Sequence, residues 1–391
     1  MTGIVKTDQL QGAQGTTITI PTGNKISIAD SATVGTLNAT TMSGTPIFSG
    51  NVTLPSINGG QIGGRRNIAY NGAMNIAQRS TSLTGQGAYP GGYLTVDRWK
   101  FVTNNSAGRF TVTQEAITDL PGFANCTKMA CTTADTSIAS GEYLMFSQYF
   151  EGQDVQQLKK GTSEAEKFTL SFYVKGNANA TYTAEFSDAD NTRHNSQEFS
   201  VTTSWNRVSL TYDGDTTGAL DDDSNVSFRL FIWLHAGSDY TGGTFSSNTW
   251  QATNNQRVSD NQTSFYDSTD RTFFITGVQI EVGSQATPFE HKTIGEELRL
   301  CSRYYWRQYN SGSNVIYFRD NISASGQNIL YQFPAPPAMR INAATVTCTL
   351  TENVNSQTLT YHQHGTIAVY WASVSGDNYL YSEDLSIDAE L

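Results

Sequence analysis

The sequence predicts an all-β protein in four parts: an N-terminal fibrous stalk, an antiparallel jelly-roll sandwich, a short linking helix and a small C-terminal β-sandwich. Three observations predict it. Apolar residues recur at period two over many short runs, and Gly-, Asn- and Asp-rich turns separate those runs. Aromatic residues make up 11% of the chain and charged residues only 15%, the usage of pleated, half-buried surfaces. A length of 391 residues exceeds one ordinary core and implies two or three folding units.

Residues 1–64 carry short alternating bursts ("TTITIP", "KISIAD", "GNVTLPSI") with too few large apolar residues to cover a core. Disorder is one reading. Strand alternation favours another, in which the segment completes its burial against identical chains as a fibre-like trimer that satisfies the open strand edges. From residue 65 to residue 292 the strands lengthen. In "KFTLSFYVKG" Phe168, Leu170, Phe172 and Val174 share one face; in "NVSFRLFIWLHAG" Val226, Phe228, Leu230, Ile232 and Leu234 oppose Ser227, Arg229, Phe231, Trp233 and His235. Val208, Leu210 and Tyr212, then Phe274, Val278, Ile280 and Val282, continue the period. Such runs over more than 200 residues suggest a two-sheet jelly roll. Residues 293–309, "TIGEELRLCSRYYWRQY", predict the linking helix: Ile294, Leu298, Cys301 and Tyr305 form a stripe, and Thr293 with Glu296 a capping box. Residues 310–391 return to alternation, enough for the small C-terminal sandwich.

A net charge of −11 argues against nucleic-acid partners, because phosphate contacts need clustered Lys and Arg. No apolar run reaches the roughly 18 to 20 residues of a membrane span, and "MTGIVKTDQLQG" lacks the apolar core of a signal peptide. Neither membrane insertion nor ordinary secretion is expected. Cys126, Cys131, Cys301 and Cys348 show no metal-ligand spacing and read as reduced, mostly buried thiols.

The mixed face of the sandwich offers candidates for ligand contact. Trp233, Tyr173, Arg229 and His235 fall in the outward set of two strands, and aromatic rings beside polar donors suit sugars, whose CH faces stack while hydroxyls need partners. Packing against a loop or a neighbouring subunit would use the same residues. In "DGDTTGALDDDSN" Asp213, Asp215 and Asp221 gather oxygens of the kind calcium prefers, although Ser224 stands where a bidentate Glu would be needed. A merely solvated loop is the alternative. Asp97 is expected to pair with a base such as Arg79, Trp99 to enter the core, and Tyr304, Tyr305 and Trp306 to pack. His362 and His364 show no third ligand, and no local catalytic motif is present.

The order "NIAYNGAMNIAQRSTS", "YLTVDRWKF", "FTLSFYVKG", "ITGVQIEVGSQATPFEH", "GEELRLCSRYYWR" and "IDAEL" resembles tail-fibre and related virion proteins of tailed bacteriophages, particularly marine ones, over roughly residues 65–310. The resemblance implies a carbohydrate-binding-module-like jelly roll, a homotrimer, and attachment to host surface glycan, with the N-terminal segment contacting other virion proteins. It also implies a structural calcium at Glu281, where such modules often hold one beside their opening strand; an exposed strand Glu is the alternative. Assembly in the host cytoplasm and release by lysis would fit the reduced thiols. Two other functions stay open: a structural virion component, such as a head decoration or tail adaptor sleeve, and a polysaccharide depolymerase whose paired carboxylates come from distant strands.

Overall fold

The computed structural model describes residues 65–104, 107–309, 339–341, 344, 345, 347 and 382–391 in full, and the backbone alone of the other C-terminal strands. The stalk expected over 1–64 lies outside the described residues. Twelve strands, numbered in chain order, build an antiparallel sandwich. One sheet runs β1 (Ser82–Gln86), β4 (Arg109–Ala116), β5 (Asn125–Thr133), β12 (Thr272–Val282), β7 (Phe168–Gly176) and β10 (Asn206–Tyr212). The other runs β2 (Gly91–Tyr93), β3 (Lys100–Asn104), β6 (Tyr143–Glu151), β11 (Val226–Ala236), β8 (Ala180–Asp188) and β9 (Arg193–Val201).

Alternation explains the core. Phe168, Leu170, Phe172 and Val174 on β7 meet Phe228, Leu230, Ile232 and Leu234 on β11 between the sheets, each full burial contributing about 1.5–3 kcal/mol. Phe168 stacks on Tyr212 at 5.4 Å and meets Phe186 edge-on at 4.9 Å. On β12 the expected set shifts by one residue. Phe273 and Ile275 point inward and Phe274 does not, because the register against β7 slips between Thr276 and Gln279 around Gly277, whose φ is +64°. Past this bulge Val278 and Ile280 regain the core. A Cβ on Gly277 would stand 2.8 Å from the Phe123 ring, so both conformation and space require glycine there.

Between β11 and β12 lies a short helix, α1 (Ser238–Thr241), and after β12 comes α2 (Ile294–Ser302). Thr293 Oγ1 caps α2 by accepting the Glu296 N–H at 3.3 Å, as the capping box predicts. The helix is shorter than residues 293–309. Tyr304 turns into the core, and β13 (Tyr305–Tyr309) pairs with β19 (Gly376–Asp388). The predicted stripe is only half right: Cys301 and Tyr305 are buried, whereas Ile294 is 62% and Leu298 41% exposed. The remaining strands are β14 (Ile316–Ile322), β15 (Leu330–Pro334), β16 (Thr345–Asn353), β17 (Thr358–His362) and β18 (Thr366–Tyr370). β13 and β14 take successive stretches of one edge of β19, and β16 takes the other. β15, β18 and β17 form a separate sheet.

The opening segment, the Asp97–Arg98–Trp99 triplet, the chain after α2 and the residues after β19 meet in one buried seam. Trp99 stacks on Phe146 at 4.6 Å, the core role expected of it. Arg98, fully buried at φ +70°, pairs with Glu390, donates Nη2–H to the Tyr149 carbonyl at 2.6 Å and lies 3.4 Å from the Tyr304 ring centre. The Arg79–Asp97 pair does not form. Arg79 reaches Asp388 at 3.1 Å and Glu390 at 3.4 Å, while Asp97 accepts from the Gln78 backbone and side chain. Burial pushes the Asp97 carboxyl up to about 6. Arg303 clamps Glu151 through two bonds of 2.9 and 2.8 Å, and the Tyr304 hydroxyl donates to the same carboxylate. Cys126, Cys131 and Cys301 are free and buried; the Cys348 side chain lies outside the described residues.

Candidate functional site

The outer face of the second sheet carries a groove of about 430 Å³. Alternation supplies its floor: Tyr143, Met145 and Tyr149 from β6, with Arg229, Phe231 and Trp233 from β11. One wall is added by the chain between β11 and β12, which folds back over the sheet. There Tyr240 meets Tyr143 edge-on at 5.5 Å, and the Arg257 guanidinium lies 5.0 Å from the Trp233 ring while pairing with Glu185. At the other side Gln251 exchanges backbone bonds with His194 on β9. Three buried nitrogen atoms lining this groove have no hydrogen-bond partner: Arg229 Nε, Trp233 Nε1 and His194 Nε2. All three lie beneath the groove surface, and other unpaired buried atoms, such as Arg98 Nε, occur elsewhere in the fold. Burial holds the His194 imidazole below its ordinary pKa and therefore neutral. The groove's acid, Asp188, is committed to Lys160 and Asn191.

Solved structures of similar topology are carbohydrate-binding modules and a phage tailspike domain. A CBM4 structure aligns at 12% identity over 54% of this chain and 97% of its own, with a TM-score of 0.28. A family 11 carbohydrate-binding module from Clostridium thermocellum, in complex with a mixed-linked β-1,3-1,4 tetrasaccharide, aligns at 11% identity over 53% of this chain and 99% of its own, TM-score 0.26. The enzymatically active domain of tailspike protein 4 from bacteriophage CBA120 aligns at 12% identity over 55% of this chain and 21% of its own, TM-score 0.27. No protein-family model and no curated protein matches the chain.

The four residues predicted to contact ligand do not stay together. Arg229 and Trp233 do share the groove, as alternation on β11 requires. Trp233 is nevertheless fully buried, covered by Tyr240, Arg257 and Val258 of its own chain, so it supports the groove floor from beneath and offers no stacking platform. Tyr173 sits on β7 in the opposite sheet, 5.3 Å from Phe123. His235 leaves the groove because the register shifts between Trp233 and His235; its ring faces Ser264, Tyr266 and Glu142 instead. The half-exposed rings of Tyr143, Tyr149 and Tyr240 take the place that Tyr173 was expected to fill. Alternation in "YLMFSQYFE" would have found the first two, since Tyr143, Met145 and Tyr149 fall at even spacings.

Three of the four expected calcium ligands accept from protein donors. Both Glu281 oxygens accept from protein donors, Gln279 Nε2–H and the Thr287 N–H on one and the Thr287 hydroxyl on the other, at 2.6–2.8 Å. The neighbouring opening segment is held by Asn67, which bonds Val278 and Ile280 directly. Asp213 pairs with Lys167 and Asn248, and Asp215 with Lys160 and Arg193. Asp221 is exposed. Burial would raise the Asp215 carboxyl, but hydrogen bonds from Arg193, Thr217 and Lys160 and the Lys160 charge hold it below the ordinary range. Asp213 and Asp215 are thus held in ion pairs, Asp215 sharing Lys160 with Asp188. His362 and His364 lie outside the residues whose side chains are described.

Proposed function

We propose that the groove on the second sheet binds a glycan chain, and that the protein is a non-enzymatic tail fibre of a tailed phage that attaches to host surface glycan. The observation that carries the binding reading is the coincidence in one groove of half-buried tyrosine rings with the Arg229 guanidinium, which pairs with no carboxylate among the described residues. Rings stack on sugar CH faces, and unpaired polar atoms take hydroxyls. Binding is favoured over cleavage because glycoside hydrolysis needs two carboxylates about 5 to 10 Å apart with free oxygens, and Asp188 is tied up by Lys160 and Asn191. The fibre reading rests on the sequence motifs of residues 65–310. On that reading residues 1–64 trimerise and contact other virion proteins, the virion is assembled in the host cytoplasm, and weak single sites gain avidity through three copies per fibre.

Screening the full-length chain against an array of bacterial surface glycans tests the proposal. The expected result is saturable binding that Tyr149→Ala or Arg229→Ala weakens at least tenfold, with unchanged thermal unfolding. A folded protein that binds no glycan, or binds equally well without these side chains, overturns it. A structural role in the virion is favoured by one observation, the exposure of Ile294 and Leu298 on α2. Imaging of the particle that buries this helix between subunits and leaves the groove sealed would select that reading.

A further inference from the structure

Asp135, Glu142 and His235 converge at one end of the sandwich, away from the groove. Asp135 lies two residues beyond β5 in the first sheet, Glu142 immediately before β6, and His235 at the end of β11, both in the second. All three are buried, His235 completely. One ring nitrogen and one oxygen from each carboxylate lie within 4.8 Å of one another. Among the described residues, neither carboxylate has a Lys or Arg partner; the ionic neighbour of Glu142 is the His235 ring at 3.8 Å. That separation is too long for a hydrogen bond, and His235 Nε2, buried and aimed at the carboxylates, is without a partner.

Two buried carboxylates with no cation between them carry a large desolvation penalty. We propose that these three side chains bind a divalent transition-metal ion of the zinc type, which clips the two sheets together. The donor set is one imidazole nitrogen and two carboxylate oxygens. It suits zinc and its neighbours and leaves a further coordination position, whereas calcium takes six to eight oxygens. Ligand atoms about 2 Å from a tetrahedral centre lie about 3.4 Å apart, so the present separations close by small side-chain movements. The outer contacts are those that orient metal ligands. His235 Nδ1 lies 2.8 Å from Ser264 Oγ, which also accepts the Tyr266 N–H at 3.1 Å. With Nδ1–H donated to Ser264, the Nε2 lone pair faces the carboxylates. Asp135 is held by the Ala107 and Ser137 N–H groups, and Glu142 by that of Ala139.

The test uses the full-length chain, stripped with a chelator and titrated with Zn²⁺ or Co²⁺. Expected are one tightly bound ion per chain, visible Co²⁺ absorption bands of a low-coordinate nitrogen–oxygen site, and a rise of several degrees in the Zn²⁺-loaded melting temperature. Glu142→Gln and Asp135→Asn should each weaken Co²⁺ binding at least tenfold. Should a variant fail to fold, the wild-type Co²⁺ spectrum and the Zn²⁺ stabilisation decide. Absence of both, uptake unchanged in folded variants, or a response to Ca²⁺ in place of Zn²⁺ overturns the proposal.

Discussion

Tyr149 stands between two regions that use arginine in opposite ways. Its carbonyl accepts from Arg98 in the seam, and its ring lies 5.3 Å from the Arg229 guanidinium in the groove. Arg98 is fully buried with its charge answered by Glu390 and spread over the Tyr304 ring. Arg229 is half-buried, and among the described residues no carboxylate pairs with it. In the seam a carboxylate answers the charge and ties distant parts of the chain together; in the groove no carboxylate among the described residues does. The difference teaches that burial of a charge reads as structure where its partners are intramolecular, and as a site where they are missing.

The strongest way to break the comparison is to remove a seam charge. Arg98→Ala leaves Glu390 with Arg79 as its remaining partner at 3.4 Å and should lower unfolding free energy by about 1–3 kcal/mol, read from the shift in urea midpoint. Replacing both partners, Arg98→Met with Glu390→Leu, should recover part of that loss, since Arg79 keeps Asp388 and no ion is left half-paired. Acid should separate the regions next. Burial would raise the Glu151 carboxyl, but hydrogen bonds from Arg303 and Tyr304 and the Arg303 charge hold it below its ordinary 4.5. Its stabilisation is therefore complete above pH 4.5 and is lost as pH falls through the lowered folded value. His194, lowered from 6.5 by burial, contributes stability that begins to fade at that higher pH. Melting temperature against pH should thus show a slope starting near 6.5 to which His194 and His235 both contribute, so that His194→Gln reduces it by its own share, and a seam-linked one below 4.5 that Glu151→Gln flattens. The smallest effect is expected at Arg229. Its replacement by Ala should change stability by less than about 1 kcal/mol, and a larger loss would mean that the groove is merely more seam.

The sandwich core was readable because β7 and β11 carry an unbroken apolar set at every second position, so that Phe168, Leu170, Phe228 and Leu230 declare their face. The same rule failed at Phe274, since a bulge glycine looks in sequence like any turn glycine and moves everything before it by one position. Trp233 pointed to the outer face as predicted, yet what covers it is a polar, aperiodic stretch around Tyr240 and Arg257 that carries no pattern to read. Asp213 and Asp215 show the reverse: their density is visible in sequence, while Lys160, Arg193 and Lys167, which pair with them, sit on distant elements. Half of the ligand face was legible, the half set by alternation alone. Which rings stay open depends on how a loop returns.

Arg98 finds Glu390 across 292 positions of chain. During synthesis at roughly 5–20 residues per second, the guanidinium waits on the order of fifteen seconds or more for its counterion to leave the ribosome. Until then the first strands can associate but cannot close over an unneutralised cation. A product cut short anywhere before Asp388 would keep that defect permanently. Defective copies should therefore be sorted out by their own failure to consolidate.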